Sequence, residues 1–181
     1  MREIWFRSVD RRYPFLWGTD ARHPARWHGR DEGPAQYLAD TPDGAWAEFL
    51  RHEEISDGAD LSGITRVVWA IELDLEEEEI GTPQVDERTL LGGYESYPRC
   101  QEEALRLRAG GATGLITPSA ALEAGGARGQ CCVGDALLEA DSRDGRTLTL
   151  FGIRPRMRGW ITAEDGRPGD RVLSLVRPLA R

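Results

Sequence analysis

The longest apolar run in the sequence, Val67 to Ile71, has the length of a single buried strand. It falls far short of the ~18–20 apolar residues that span a bilayer. A chain built this way must bury its apolar side chains in short strands and amphipathic helices. The surrounding segment, Thr65 to Leu75, reads as a buried strand that becomes alternating, and the glutamate run after it reads as a solvated exit. Ile4 to Val9 and Ala35 to Ala39 read as two more strands. The stretch between them, Asp10 to Pro34, is rich in Pro, Gly, Arg and aromatics. A loop this long in a compact domain is usually functional.

The helix signals are equally local. Thr41 can cap, Pro42 suits the first helical position, and Asp43 favours the positive end of the dipole, so a helix is predicted from Pro42 to about Glu54. Trp46, Phe49, Leu50 and Glu53 lie along one side of it. Glu48 lies on another, beside Ala45 and His52. A second helix is predicted over Arg99 to Ala109, stopped by Gly110-Gly111. Gly114 to Thr117 reads as a short strand, with a turn opening at Pro118-Ser119. Gln130 to Val133, Thr147 to Phe151 and Arg171 to Val176 read as the closing strands, separated by turn-rich DSRDGR and EDGRPGD. Strands and helices mix without regular βαβ alternation, and this favours an α+β fold. No repeat or composition break divides the chain, so residues 1–181 are expected to form one domain, of which about 70% of the unfolded surface can be buried.

Charge and cysteine usage narrow the function. A net charge of −8 disfavours binding to a phosphate backbone, and no helix-turn-helix signature is evident. Cys100, Cys131 and Cys132 make a poor disulfide framework, and the amino terminus lacks a secretory signal. Both features suit a cytoplasmic protein with no membrane association. His23, His28 and His52 form no HExxH pattern and the cysteines no CxxC pattern, so no metal site is expected. His28 and His52 read as polar surface or rim residues. GxGxxG and GxxxxGK[ST] phosphate loops are absent.

The most informative stretch runs from Arg26 to Glu48. A loop arginine, a tyrosine on a short strand (Tyr37) and a glutamate on the next helix (Glu48) can converge on one cleft. Each also has an ordinary reading: a surface charge, a core aromatic and a solvated helix residue. Ser119 likewise reads equally as a turn cap.

Five ordered segments carry a resemblance: WFRSV with Arg7, ARWHG with Arg26, GPAQYLADTPDGAWAEFLRH with Tyr37 and Glu48, YPRCQEEALRLRAGGATGLITPSA with Ser119, and the closing strands. In this order they resemble the RES family, the NAD⁺-degrading toxins of toxin–antitoxin pairs. His28 stands where that family usually has Asn. The resemblance implies an ADP-ribosyltransferase-like fold, with two small β-sheets around a cleft and flanking helices. NAD⁺ is then the substrate, no prosthetic group is needed, and inorganic phosphate is a candidate co-substrate. Arg7 and Arg26 would hold the diphosphate or the nicotinamide ribose, since a guanidinium binds phosphate oxygens in bidentate fashion. Tyr37 would face the pyridinium ring. Glu48 would oppose the oxocarbenium-like cation formed as the N-glycosidic bond breaks, and Ser119 would position the ribose or the amide. Water, phosphate or a protein side chain as acceptor would make the enzyme a glycohydrolase, a phosphorylase or an ADP-ribosyltransferase. A binding module without turnover is the non-enzymatic alternative. The resemblance also implies an Xre-type antitoxin partner, and leaves the choice between monomer and homodimer open.

Overall fold

The computed structural model describes residues 2–16, 23–153 and 157–179. Among them nine strands and four α-helices follow in chain order: β1 (Arg2–Val9), β2 (Ala35–Ala39), α1 (Pro42–His52), β3 (Arg66–Asp74), β4 (Ile80–Gly81), α2 (Glu87–Leu91), α3 (Tyr97–Ala109), β5 (Gly114–Pro118), β6 (Gln130–Val133), β7 (Ala136–Glu139), β8 (Arg146–Phe151), β9 (Arg158–Gly166) and α4 (Asp170–Leu173). The architecture is α+β. Seven strands form one sheet in the order β4-β5-β8-β2-β1-β3-β9, and β6 and β7 form a separate hairpin.

The large sheet carries a seam. β1 pairs with β3 over its full length, and β2 with β8 over its own five residues. Between β1 and β2 the register consists of the single pair Phe6 and Ala39. The seam has β4-β5-β8-β2 on one side and β1-β3-β9 on the other, and the two sheets of the fold are this large one and the small β6–β7 hairpin. Alternating residues of both halves, Trp5, Leu38, Ile71, Leu73, Leu148 and Leu150, bury together below the seam. Helix α3 covers the first half through Cys100, Ala104 and Leu107 against Leu115 and Phe151. Helix α1 packs Trp46 and Leu50 on Val68 and Val172.

Local chemistry explains why α1 starts where it does. Thr41 is extended and its hydroxyl accepts from Gly44 N at 3.0 Å, with Pro42 at the first helical position. A side chain on Gly44 would meet Ala39 Cβ at 3.0 Å, so this turn of helix lies hard against the end of β2.

One predicted element is corrected and two strands are added. Arg171 to Val176 is not a strand: it begins as the short helix α4, and Val172 and Leu175 are its buried pair, a three-residue spacing that is helical. Only an isolated bridge from Val176 to Leu122 is strand-like there. Strands β7 and β9 were not anticipated; their residues are largely exposed, so neither carries a core-facing pattern. Residues 17–22 of the loop read as functional lie outside the described residues. Among the described residues no helix is long and apolar enough to cross a membrane.

Because Thr41 sets the first turn of α1, Thr41→Ala should cost about 1 kcal/mol in urea unfolding. A loss under about 0.3 kcal/mol would mean that packing alone fixes the helix start.

Candidate active site

Two cavities open over the seam and share a wall. The larger, about 240 Å³, lies between β1, β2, β3 and α1, lined by Arg7, Tyr37, Glu48, Phe49, His52 and Arg66 among others. The smaller, about 20 Å³, is lined by Arg26, Trp27, Arg51, Tyr97, Thr117 and Thr147. Tyr37, Glu48 and His52 belong to both walls. The sequence-predicted residues Arg26, Tyr37 and Glu48 thus meet around one hollow, and Arg7 joins Tyr37 and Glu48 around the other.

Glu48 sits at the junction. Thr147 Oγ1 donates to its Oε1 at 3.1 Å, and His52 Nε2 lies 3.9 Å from its Oε2, one helical turn away. The rim position predicted for His52 is found; it is about half exposed on the cavity wall.

Arg7 crosses the seam, its Nη1 donating to Gln36 Oε1 at 2.5 Å. Burial, with Arg66 nearby, brings its pKa down to about 10, so it stays cationic at neutral pH. Arg66, which sequence reading missed, donates from Nε to Ser8 Oγ at 2.9 Å and lies 4.1 Å over the Phe49 ring. Its pKa is also lowered by burial, against the opposing pull of Asp10 and Glu53. Neither arginine forms an ion pair among the described residues, and both line the larger cavity. The same wall also carries the Glu48 and Glu53 carboxylates, so cations and anions face one another across the cavity.

Tyr37 is held from behind. Its hydroxyl accepts from Trp27 N at 2.9 Å and lies 3.0 Å from His28 Nδ1. His28 Nε2 is 3.0 Å from the His23 carbonyl, which can only accept. Nε2 therefore carries the hydrogen, and Nδ1 accepts the Tyr37 proton. Burial pushes the phenol pKa far up and the imidazole pKa down, so both remain neutral. His28 is 4% exposed, so it is a buried brace and not the surface or rim residue the sequence suggested.

Arg26 and Ser119 are placed differently from the expectation. Arg26 reaches the smaller cavity, yet Nη1 donates to Thr89 O and Ser96 Oγ (3.1 and 3.0 Å) and Nη2 to Gly92 O (2.6 Å). Most of its donors are thus committed to the chain. Ser119 Oγ accepts from Ala121 N and Leu122 N (3.3 and 3.2 Å), capping the turn after β5. Its neighbours Thr117 and Ala120 line the smaller cavity. Arg51 is a further residue missed in sequence: buried, it donates to Leu91 O and Gly92 O (3.2 and 2.8 Å). The signal for Arg66 and Arg51 was weak, since each is a lone arginine in an otherwise ordinary strand or helix. Among the described residues no group of three or more His, Cys, Asp or Glu is arranged to hold a metal ion.

The family model for the RES domain matches residues 4–145. No curated protein sequence matches the chain. A solved structure, a chain of the M. tuberculosis MbcT–MbcA toxin–antitoxin complex, shares the fold with a TM-score of 0.55 at 16% identity, covering 89% of this chain and 84% of that one.

Two outcomes follow from this geometry. Arg26→Ala should destabilise the fold by about 2–4 kcal/mol in denaturant unfolding, because it orphans buried carbonyls; a change within about 0.5 kcal/mol would show the guanidinium to be an ordinary surface charge. The His28 imidazole binds a proton less readily folded than unfolded, so its contribution to stability is full above pH ~6.5 and is lost as the pH falls below that value. The wild-type melting temperature should drop between pH ~6.5 and ~5, and His28→Gln should flatten that drop. An identical pH profile in the variant would exclude His28 as its source.

Proposed function

The chain belongs to the RES domain family, and from that premise we propose that it is the toxin of a toxin–antitoxin pair and destroys NAD⁺ by cleaving the nicotinamide–ribose bond. The observation that carries the reading is one cavity whose wall combines the Glu48 carboxylate, the Tyr37 ring and the guanidiniums of Arg7 and Arg66, neither of which forms an ion pair among the described residues. Each matches one part of a pyridinium dinucleotide. The diphosphate is anionic and suits Arg7 and Arg66. The nicotinamide ring carries the positive charge that an aromatic face attracts, worth about 0.5–2 kcal/mol. At about 240 Å³ the cavity is smaller than the usual drug-sized site, so it takes the nicotinamide riboside end while the adenosine end remains outside.

Bond cleavage builds positive charge on the ribose, and a fixed carboxylate opposes it more strongly in the transition state than in the ground state. Glu48 occupies that role. Nicotinamide leaves as a neutral base from a cationic ring, so the leaving group needs no strong acid. Arg26 and Ser119 act as positioning residues, one bracing the wall near Tyr37 and Glu48, the other fixing the turn that carries Ala120. On the far side of Glu48 the smaller hollow has room for one water molecule. Water is taken as the acceptor, which makes the enzyme a glycohydrolase, and inorganic phosphate is the alternative that the phosphate arm of the test separates.

Such an enzyme working in the cytoplasm would deplete its own cell and require restraint. The similar fold within the MbcT–MbcA complex supports a cognate antitoxin, of Xre type by family resemblance, that closes the cavity.

The test is incubation of the purified chain with NAD⁺, with and without phosphate. Nicotinamide in stoichiometric excess over the chain is expected in both arms, with ADP-ribose as co-product. Phosphate-dependent turnover would assign phosphorolysis; labelled protein would assign transfer; no release at all would contradict the reading. Glu48→Gln keeps the shape and removes the charge, so nicotinamide release should fall by about 100-fold or more, while the melting temperature stays near that of the wild type. Turnover close to wild type would remove Glu48 from the mechanism.

A further inference from the structure

Among the described residues two side chains make the close polar contacts of Glu48, and they treat its oxygens differently. Oε1 accepts from Thr147 Oγ1 at 3.1 Å. Oε2 makes no hydrogen bond among the described residues and lies 3.9 Å from His52 Nε2. A carboxylate can only accept, so the hydroxyl hydrogen of Thr147 is given to Oε1. Thr147 is 5% exposed, while the Glu48 side chain is 23% exposed. A buried donor thus holds one end of a carboxylate that is partly open to both cavities.

The donor stands on a fixed platform. Strand β8 is paired on both sides, with Thr147 between Ala39 of β2 and Thr117 of β5. The residue before it is clamped to the end of β2: Arg146 N donates to Asp40 Oδ1 at 2.9 Å, and Asp40 N to Arg146 O at 3.1 Å. The guanidiniums of Arg143 and Arg146 close on the same buried Asp40 carboxylate. Threonine is also β-branched and stiff at χ1. Glu48, by contrast, reaches down from α1 through a flexible chain whose rotamers are costly to order.

We propose that Thr147 is a positioning residue for the reaction: it tethers Glu48 Oε1 to the sheet and leaves Oε2 to oppose the ribose cation. Thr147 lines the smaller hollow and not the larger cavity. The tether therefore draws Oε1 to the side of the hollow and leaves Oε2 for the larger cavity, where the nicotinamide riboside end is placed. The proposal rests on the NAD⁺ reading and deepens it by naming the oxygen that acts. A carboxylate stabilises a developing cation most when it is in place before the bond breaks. Untethered, Glu48 is free to swing toward Arg7 and Arg66 on the same wall. The hydroxyl prevents this without neutralising the charge, since it donates a hydrogen bond and transfers no proton.

The experiment is steady-state nicotinamide release from NAD⁺ by the full chain and its variants at Thr147. Thr147→Val puts a methyl where the hydroxyl stands, so kcat should fall about 10-fold while KM stays within about 2-fold of the wild type. Thr147→Ser keeps the hydroxyl and should bring kcat back to within about 3-fold of the wild type. Thr147→Ala is read in parallel and should match Thr147→Val, so the answer does not hang on the folding of one variant. A double-mutant cycle gives the readout that loosened packing would not: on the Glu48→Gln background, Thr147→Val should slow the residual release by less than about 2-fold. The proposal is overturned if Thr147→Val and Thr147→Ala turn over like the wild type, or if Thr147→Ser is as slow as Thr147→Val. It is overturned equally if the whole loss persists on the Glu48→Gln background. An impaired Glu48→Gln beside a fully active Thr147→Val sinks this inference alone, whereas a fully active Glu48→Gln sinks the reading beneath it.

Discussion

The site depends on a sheet that does not close. Strands β1 and β2 are neighbours, yet their register is the single pair Phe6 and Ala39. A fully paired sheet would leave no room between Arg7 and Tyr37 and would present helix α1 with an unbroken floor. Here the two half-sheets separate, the Arg7 side chain reaches across to Gln36, and α1 roofs the gap with Glu48 and His52. Folding gains apolar burial on both faces of the sheet, in the cluster around Trp5 and Leu148 and where α1 packs Trp46 and Leu50 on Val68.

The second half of the cavity wall is tied at one backbone atom. The carbonyl of Gly92 accepts from Arg26 Nη2 and Arg51 Nη2, joining the loop after β1, helix α1 and the segment between α2 and α3. A side chain on Gly92 would stand 2.8 Å from the Arg88 carbonyl and 3.0 Å from Ser96 Cβ, so space dictates glycine there. All 23 basic residues of the chain are arginine. The chemistry suits the task, because a guanidinium keeps its charge and its fixed fork of donors when buried, whereas a buried lysine readily gives up its proton. The arginines are then separated by what they touch: Arg26 and Arg51 spend donors on carbonyls, while Arg7 and Arg66 line the larger cavity.

Much of this was legible in the sequence where a local signal coincided with a buried role. The Thr41-Pro42-Asp43 start placed α1, and with it Glu48 beside His52 on one face. Strand β2 was readable from AQYLA, and Tyr37 came with it. Arg66 was not readable, because a strand arginine looks the same whether it points to solvent or into a cavity made by two other elements. His28 was misjudged for a similar reason: its burial depends on the non-local partners Tyr37 and the His23 carbonyl. The second strand of the hairpin was missed although Gly134-Asp135 between two short apolar runs is a hairpin signal; its exposed leucines carry no inward pattern. Arg171 to Val176 deceived in the opposite direction, its branched residues reading as strand where a helical spacing is buried.

The most direct test of the central claim is a crystal structure of the Glu48→Gln variant soaked with NAD⁺. The account predicts nicotinamide between the Tyr37 ring and residue 48, with the diphosphate on the guanidiniums of Arg7 and Arg66. A dinucleotide bound away from the seam, or a cavity that stays empty at saturating NAD⁺, would contradict it.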